Sequence, residues 1–285
     1  MTESSSETPR NEVPSPQLLV SVRSVGEAAD ALAGGCQILD VKDPSRGSLG
    51  RADNSVVEQI LRAGIAAGVS VSAALGEVAD YSTSQNVENP NLSLPESLAG
   101  LSFTKLGLAG LGHDGNWSAR WHDTMSYLAG GIRLSDEKSS PDWVAVIYAD
   151  WQAADAPAPD EIVDCVLSSS DSTSNRIAGV LVDTWSKKSG RLFDSLPVEQ
   201  LRELAESVQQ SGRFFAAAGR LTSNMLPELA LARPDIVAVR SAVCRNEDRK
   251  SSVDANAVRA LRAEIDQTFA VGTASKGLPI GAIND

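Results

Sequence analysis

Eight short apolar runs, separated by helical or loop-length intervals, constrain this chain more than any other feature. They fall at residues 18–22, 38–41, 69–73, 103–106, 144–148, 179–182, 214–217 and 236–239. Most are continuous rather than alternating, the pattern of strands buried on both faces of a parallel sheet. Amphipathic stretches lie between them, most clearly at 25–33, 55–67, 160–167, 198–211 and 253–269. Ser24 and Asp53 stand where helix N-caps belong, and Gly34-Gly35 and Gly212 where helices end. Strands alternating with helices imply parallel pairing, and eight such units close into a single (β/α)8 TIM barrel of the α/β class. An open doubly wound sheet is the alternative.

The chain has 285 residues, 42% of them hydrophobic, enough for one large core. The expected organisation is a disordered Pro/Ser-rich lead-in over residues 1–16, a catalytic barrel over 17–271 and a flexible tail over 272–285. Two long polar connections, 77–95 and 133–142, read as active-site covers or surface decoration. The formal net charge of −12 argues against a nucleic-acid partner, so an anionic substrate needs a local basic pocket. No apolar run approaches the roughly 20 residues that span a membrane, and nothing resembles a signal peptide, so a cytoplasmic protein is expected. Three scattered cysteines, Cys36, Cys165 and Cys244, read as unpaired thiols of a reducing compartment. Two histidines, His113 and His122, without a cysteine cluster give no metal-site pattern, so no metal is expected.

Barrels of this kind carry their chemistry at the C-terminal ends of the strands. At the second run, ILDVKDPSRGSLG, side-chain alternation puts Asp40 and Lys42 on one face, about 7 Å apart along the strand. The small residues Gly47, Ser48 and Gly50 follow in a loop able to admit a ligand. A structural Asp40–Lys42 salt bridge is the plain alternative. Lys105 lies inside the apolar run FTKLGL, where lysine is rarely buried; a side chain snorkelling to water is its plain alternative. The glycines from Gly107 to Gly112 follow the order GxxGxG, which is not a dinucleotide fingerprint. Asp183 closes the sixth run, with Lys187 and Lys188 in the loop beyond. Gly219 and Arg220 follow the seventh run, and Arg240 and Ser241 the eighth. Loops seven and eight are the usual phosphate-binding place in barrels, where backbone N–H groups and a helix dipole attract the anion. No GxSxG elbow, Walker motif or histidine triad occurs. Lysines gathered at one mouth depress one another's basicity, and a neutral amine attacks a carbonyl. The residues therefore favour amine catalysis on a phosphorylated carbonyl compound.

The segments LLVSV, EAADALAGG, ILDVKDPSRGSLG, VSAALGEV, TKLGL, LVDTWSKKSGRLFD, AAGRL and DIVAVRSAVC occur in order between about Leu18 and Phe269. In this order they resemble the (5-formylfuran-3-yl)methyl phosphate synthase family, also called 4-(hydroxymethyl)-2-furancarboxaldehyde-phosphate synthase, of methanofuran biosynthesis. The resemblance implies a cofactor-free, homo-oligomeric lyase that condenses two molecules of glyceraldehyde 3-phosphate with loss of phosphate and water. It further implies Lys42 as the Schiff-base lysine, Lys105 as a proton acceptor, and Asp40, Asp183 and Lys187 as active-site residues. Phosphate binding at Gly219, Arg220, Arg240 and Ser241 rests on the barrel rule instead. Trp185-Ser186 departs from the smaller apolar residues expected before the lysine. A different Schiff-base aldolase on this scaffold, or a non-catalytic barrel that binds phosphometabolites, are the competing readings.

Overall fold

Eight strands pair side by side in chain order in the computed structural model, which describes residues 14–81, 94–130, 140–169, 175–186 and 190–274. They are β1 (Gln17–Val22), β2 (Ile38–Val41), β3 (Ser70–Glu77), β4 (Phe103–Gly107), β5 (Asp142–Tyr148), β6 (Ile177–Asp183), β7 (Phe214–Ala217) and β8 (Ile236–Val239). Every neighbouring pair is parallel, and β8 closes on β1. The molecule is a (β/α)8 barrel, not an open sheet.

The helices are α1 (Val25–Ala33), α2 (Asn54–Ala67), α3 (Trp117–Ala129), α4 (Trp151–Ala154), α5 (Pro159–Ser168), α6 (Leu192–Ser195), α7 (Val198–Gln210), α8 (Leu226–Ala232) and α9 (Ala255–Ala274). Among the described residues, the β3–β4 connection carries only 3-10 turns, at Val78–Tyr81 and Glu96–Leu98. Ser24 caps α1 through its side chain, which accepts from the Glu27 backbone N–H. Asp53 occupies the α2 cap position, but its carboxylate takes a hydrogen bond from Arg46 instead. The last helix runs past Gly272 to Ala274, beyond the expected start of a tail. Ser15 and Pro16, expected in a disordered lead-in, are held by the Arg262 guanidinium. Residues 1–13 and 275–285 lie outside the described residues, as do parts of both long connections. The three cysteines are free thiols.

Strand alternation separates two apolar layers. Leu18, Val20, Leu39, Val41, Val180, Val182 and Val237 pack outward against the helices. Leu19, Ile38, Val144, Leu181, Ala216 and Ile236 fill the lumen, closed off by an edge-to-face Phe103–Phe214 pair. This plug sits below the mouth. Above it the same lumen-facing rows change from apolar to polar: Ser21 after Leu19, Asp40 after Ile38 and Asp183 after Leu181.

Candidate active site at the barrel mouth

Register places the first polar layer. Asp40 on β2 is flanked by Ser21 on β1 and Ser72 on β3. Both hydroxyls donate to its carboxylate, Ser21 Oγ to Oδ2 at 3.0 Å and Ser72 Oγ to Oδ1 at 2.7 Å. Lys105 on β4 reaches the same carboxylate, with Nζ 2.7 Å from Oδ1. Its neighbour on the intervening strand is the small Ala74. Asp40 and Lys105 are 1% and 4% exposed, so Lys105 does not snorkel to water. Burial alone pushes a carboxyl upward, yet Lys105, Lys42 and the hydrogen bonds together hold Asp40 below its ordinary range.

Lys42, one step above Asp40 on the same face, takes a different partner. Its Nζ lies 3.9 Å from Asp183 Oδ2, at the end of β6 across the mouth. The direct Asp40–Lys42 salt bridge is therefore replaced by two crosswise pairs, Lys105–Asp40 and Lys42–Asp183. Burial lowers the basicity of Lys42; Asp183 and Asp40 oppose that, while Lys105 and Arg249 add to it. The net direction is downward, toward the neutral amine. Asp183 is fixed by the Thr184 backbone N–H at 2.8 Å and by Ser48 Oγ at 3.4 Å.

The small residues of the DPSRGSLG loop have a structural reason here. The Asp43 N–H donates to the Gly50 carbonyl and the Gly76 N–H to the Leu49 carbonyl, folding the loop across the mouth. Ser48 thereby bonds Asp183 and the Thr184 carbonyl, while Leu49 packs with Ala74, Ala109, Val146 and Tyr148 over the β3–β5 side. The hollow left open lies toward β6, β7, β8 and β1. Asp40, Lys42, Lys105, Asp183, Gly219, Arg220, Arg240 and Ser241 all line it. Lys187 lies outside the described residues.

The two arginines differ. Arg220 is exposed, at φ +55°, directly after Gly219 at φ +103°. A Cβ at Gly219 would crowd Thr184 Cγ2 at 3.1 Å and Leu192 Cβ at 3.2 Å, so backbone conformation and space both favour glycine. The barrel rule makes Arg240 a phosphate ligand; in the structure it lines the hollow, but its buried guanidinium is already engaged. It donates to Glu27 Oε2 at 2.9 Å, Glu27 Oε1 at 3.2 Å, the Ser21 carbonyl at 2.8 Å and the Arg249 carbonyl at 2.8 Å. An arginine saturated this way is a structural tie.

Sequence reasoning missed four further features. Ser21 and Ser72 read as ordinary strand residues, although their positions opposite Asp40 follow once register is known. Arg249 also lines the hollow, from a polar stretch between the eighth strand and the last helix that the sequence does not single out. Beside the hollow, Glu77 accepts from the Tyr148 hydroxyl at 2.5 Å and the Ala109 N–H at 3.0 Å, and burial raises both its carboxyl and the Tyr148 phenol. Asp150 receives the backbone N–H groups of Trp185 at 2.7 Å and Ser186 at 2.8 Å, anchoring the loop after β6. No helix among the described residues is long and apolar enough to cross a membrane.

Fold and site together define a (β/α)8-barrel enzyme with a lysine-centred mouth. Residues 18–262 match the 4-HFC-P synthase family, and the chain belongs to that family. The (5-formylfuran-3-yl)methyl phosphate synthase of Archaeoglobus fulgidus is 29% identical over 238 residues, covering 83% of this chain and 94% of the relative. That of Methanococcus maripaludis strain C7 is 32% identical over 235 residues, covering 81% and 91%. A putative synthase of Streptomyces griseus is 31% identical, covering 88% and 94%. Among solved structures, thiamine phosphate pyrophosphorylase from Pyrococcus furiosus superposes with a TM-score of 0.51 at 13% identity, over 90% of this chain and 97% of that one. KGPDC from Streptococcus mutans gives 0.51 at 12% identity, over 90% and 100%. At these identities the likeness is one of fold.

Proposed function

We propose that the protein is a cofactor-independent Schiff-base lyase that condenses two molecules of glyceraldehyde 3-phosphate to (5-formylfuran-3-yl)methyl phosphate, releasing phosphate and water. The observation that carries this reading is the position of Lys42. It is a nearly enclosed amine of lowered basicity, 3.9 Å from Asp183 and beside a second, carboxylate-bound lysine. A neutral amine adds to a carbonyl, and the protonated imine withdraws electrons from the adjacent carbon.

In this reading Lys105 serves as proton acceptor while one triose phosphate isomerises to its ketone. The Asp40 carboxylate, 2.7 Å from Lys105, balances the ammonium formed when the amine takes the proton. Lys42 forms the imine with the ketone, and Asp40 balances the iminium charge. The carbanion adds to the second aldehyde; phosphate then departs by elimination, hydrolysis of the imine frees Lys42, and ring closure with dehydration gives the furan. Asp183, within reach of Lys42, serves the later proton transfers, with Lys187. Phosphate is held by the Gly219–Arg220 turn and Ser241, with Arg240 shaping the loop rather than meeting the anion. The family membership and the synthase names of the relatives support this assignment.

Purified protein given glyceraldehyde 3-phosphate alone is expected to develop furan absorbance and free phosphate, and Lys42→Ala to do neither. Borohydride with substrate should add mass at Lys42. An aldol adduct without phosphate release would favour another Schiff-base aldolase, and tight binding without turnover a non-catalytic barrel.

A further inference from the structure

We propose that Arg249 is a phosphate ligand of this site, held over the hollow by a bracket of the buried Glu27 and Arg240 and the exposed Arg23. The inference rests on the proposed function only in taking a phosphomonoester as the ligand.

Arg249 follows β8, lines the hollow and is half-buried. Among the described residues its guanidinium has no hydrogen-bond or ion-pair partner, whereas Arg240 nearby is fully engaged. Asp183 attracts the Arg249 guanidinium from a distance without pairing with it, and a half-buried guanidinium with unfilled donors is unfavourable unless an anion completes it. Burial depresses Arg249; Asp183 opposes this, while Arg240 and Arg220 push in the same direction as burial. In a chain of net charge −12, this is a local concentration of positive charge facing a cavity. The guanidinium fork matches phosphate geometry with two parallel N–H donors. Arg249 also acts electrostatically on Lys42, so an anion bound there lies near the amine.

The backbone around Arg249 is gripped at three successive carbonyls. Arg240 Nε donates to Arg249 O at 2.8 Å, Arg23 Nη2 to Lys250 O at 2.6 Å and Arg240 Nη2 to Ser251 O at 3.5 Å. Both arginines are fixed on the buried Glu27 carboxylate, Arg240 at 2.9 Å and Arg23 at 3.1 Å. The bracket pre-orders the loop, so binding need not order it. Arg240 and Glu27 are thus positioning residues for Arg249.

The test titrates inorganic phosphate into the intact protein by calorimetry, alongside steady-state kinetics on glyceraldehyde 3-phosphate. Arg249→Gln is expected to weaken phosphate binding about ten- to a hundred-fold and to raise KM far more than it lowers kcat. Arg249→Lys should fall between, and millimolar guanidinium should partly restore Arg249→Ala. Arg240→Lys should weaken phosphate binding in the parent protein but not in the Arg249→Ala background, whereas a merely structural role would weaken both. Phosphate affinity unchanged in Arg249→Gln, or no phosphate binding by the parent protein, overturns the proposal. If phosphate binding depends on Arg249 but no furan forms, the proposed reaction falls and the Arg249 assignment stands.

Discussion

Lys105 Nζ lies 2.7 Å from Asp40 Oδ1 where both residues are almost completely removed from solvent. Desolvating two ions is expensive, and the pair is stable here because Ser21 and Ser72 satisfy the carboxylate from both sides. Removing one partner leaves the other charge buried. Asp40→Ala is expected to destabilise the protein by about 3–5 kcal/mol, and the double variant Asp40→Leu/Lys105→Met by clearly less. The folded-state carboxyl of Asp40 is depressed, so its contribution is complete above the unfolded value of 3.8 and is lost as pH falls through the lower folded value. Urea unfolding of parent and variants at neutral and acidic pH measures this.

Lys42 has a linkage of the same sign, but here folding disfavours the charged form. Its folded-state value lies below the ordinary 10.5, so the unfolded chain binds more protons in the window beneath 10.5 and stability rises with pH there. Lys42→Met is expected to be more stable than the parent at neutral pH, with the advantage shrinking as pH approaches 10.5; Asp183 keeps its Thr184 and Ser48 partners throughout. Urea midpoints at neutral pH and near the ordinary lysine value read the difference. In the parent, the rate of borohydride-trappable adduct formation should inflect below 10.5. An inflection at the value of a solvated lysine would contradict the enclosed amine.

The parts of this site legible in the sequence are those set by local periodicity. Alternation along ILDVK puts Asp40 and Lys42 on one face, and both line the hollow. The strands at 38–41, 214–217 and 236–239 have the expected limits because apolar runs end there at charged or small residues. The third apolar run ends at Ala73, but the strand continues to Glu77, since Gly76 and Glu77 read as loop residues. The partners that hold Glu77 in place, Ala109 and Tyr148, are far along the chain. The α3 helix is not among the clear helical patterns; its buried Trp121, Met125 and Leu128 are interleaved with weak helix formers. Partner choice is likewise nonlocal. That Lys105 takes Asp40, and Lys42 takes Asp183, follows from how β2, β4 and β6 stagger around the barrel. Arg240 reads as an anion ligand from its place after the eighth strand, since nothing local in the sequence pairs it with Glu27 on α1.

Gly107 faces Glu77 across β3 and β4. A Cβ there would collide with the Glu77 carboxylate and the Tyr148 hydroxyl, which meet each other over this position. Gly107→Ala is expected to destabilise by about 1–3 kcal/mol through overpacking and loss of that hydrogen bond. The penalty should shrink when the variant is made in a Glu77→Ala/Tyr148→Phe background, because the colliding atoms are gone. Equal penalties in both backgrounds, measured by thermal unfolding, would locate the strain elsewhere.

Asp150 joins the end of β5 to the loop after β6, accepting the Trp185 and Ser186 N–H groups with its two carboxylate oxygens. Ser186 lines the hollow, and Lys187 is the next residue in the chain. Asp150→Ala leaves two backbone donors without this acceptor, for an expected loss of about 1–3 kcal/mol. The catalytic effect should be of a different kind. Lys42 and Asp183 keep their own supports, so trapping of the first triose phosphate at Lys42 should persist. Under the proposed function, the later proton transfers assigned to Lys187 should slow, because Ser186, the residue before it, has lost its anchor. The expected signature is a burst of borohydride-trappable adduct near parent level combined with furan release reduced by about tenfold or more, since small misplacements of catalytic groups are costly in rate. Parallel loss of trapping and furan release would instead assign Asp150 to the first step.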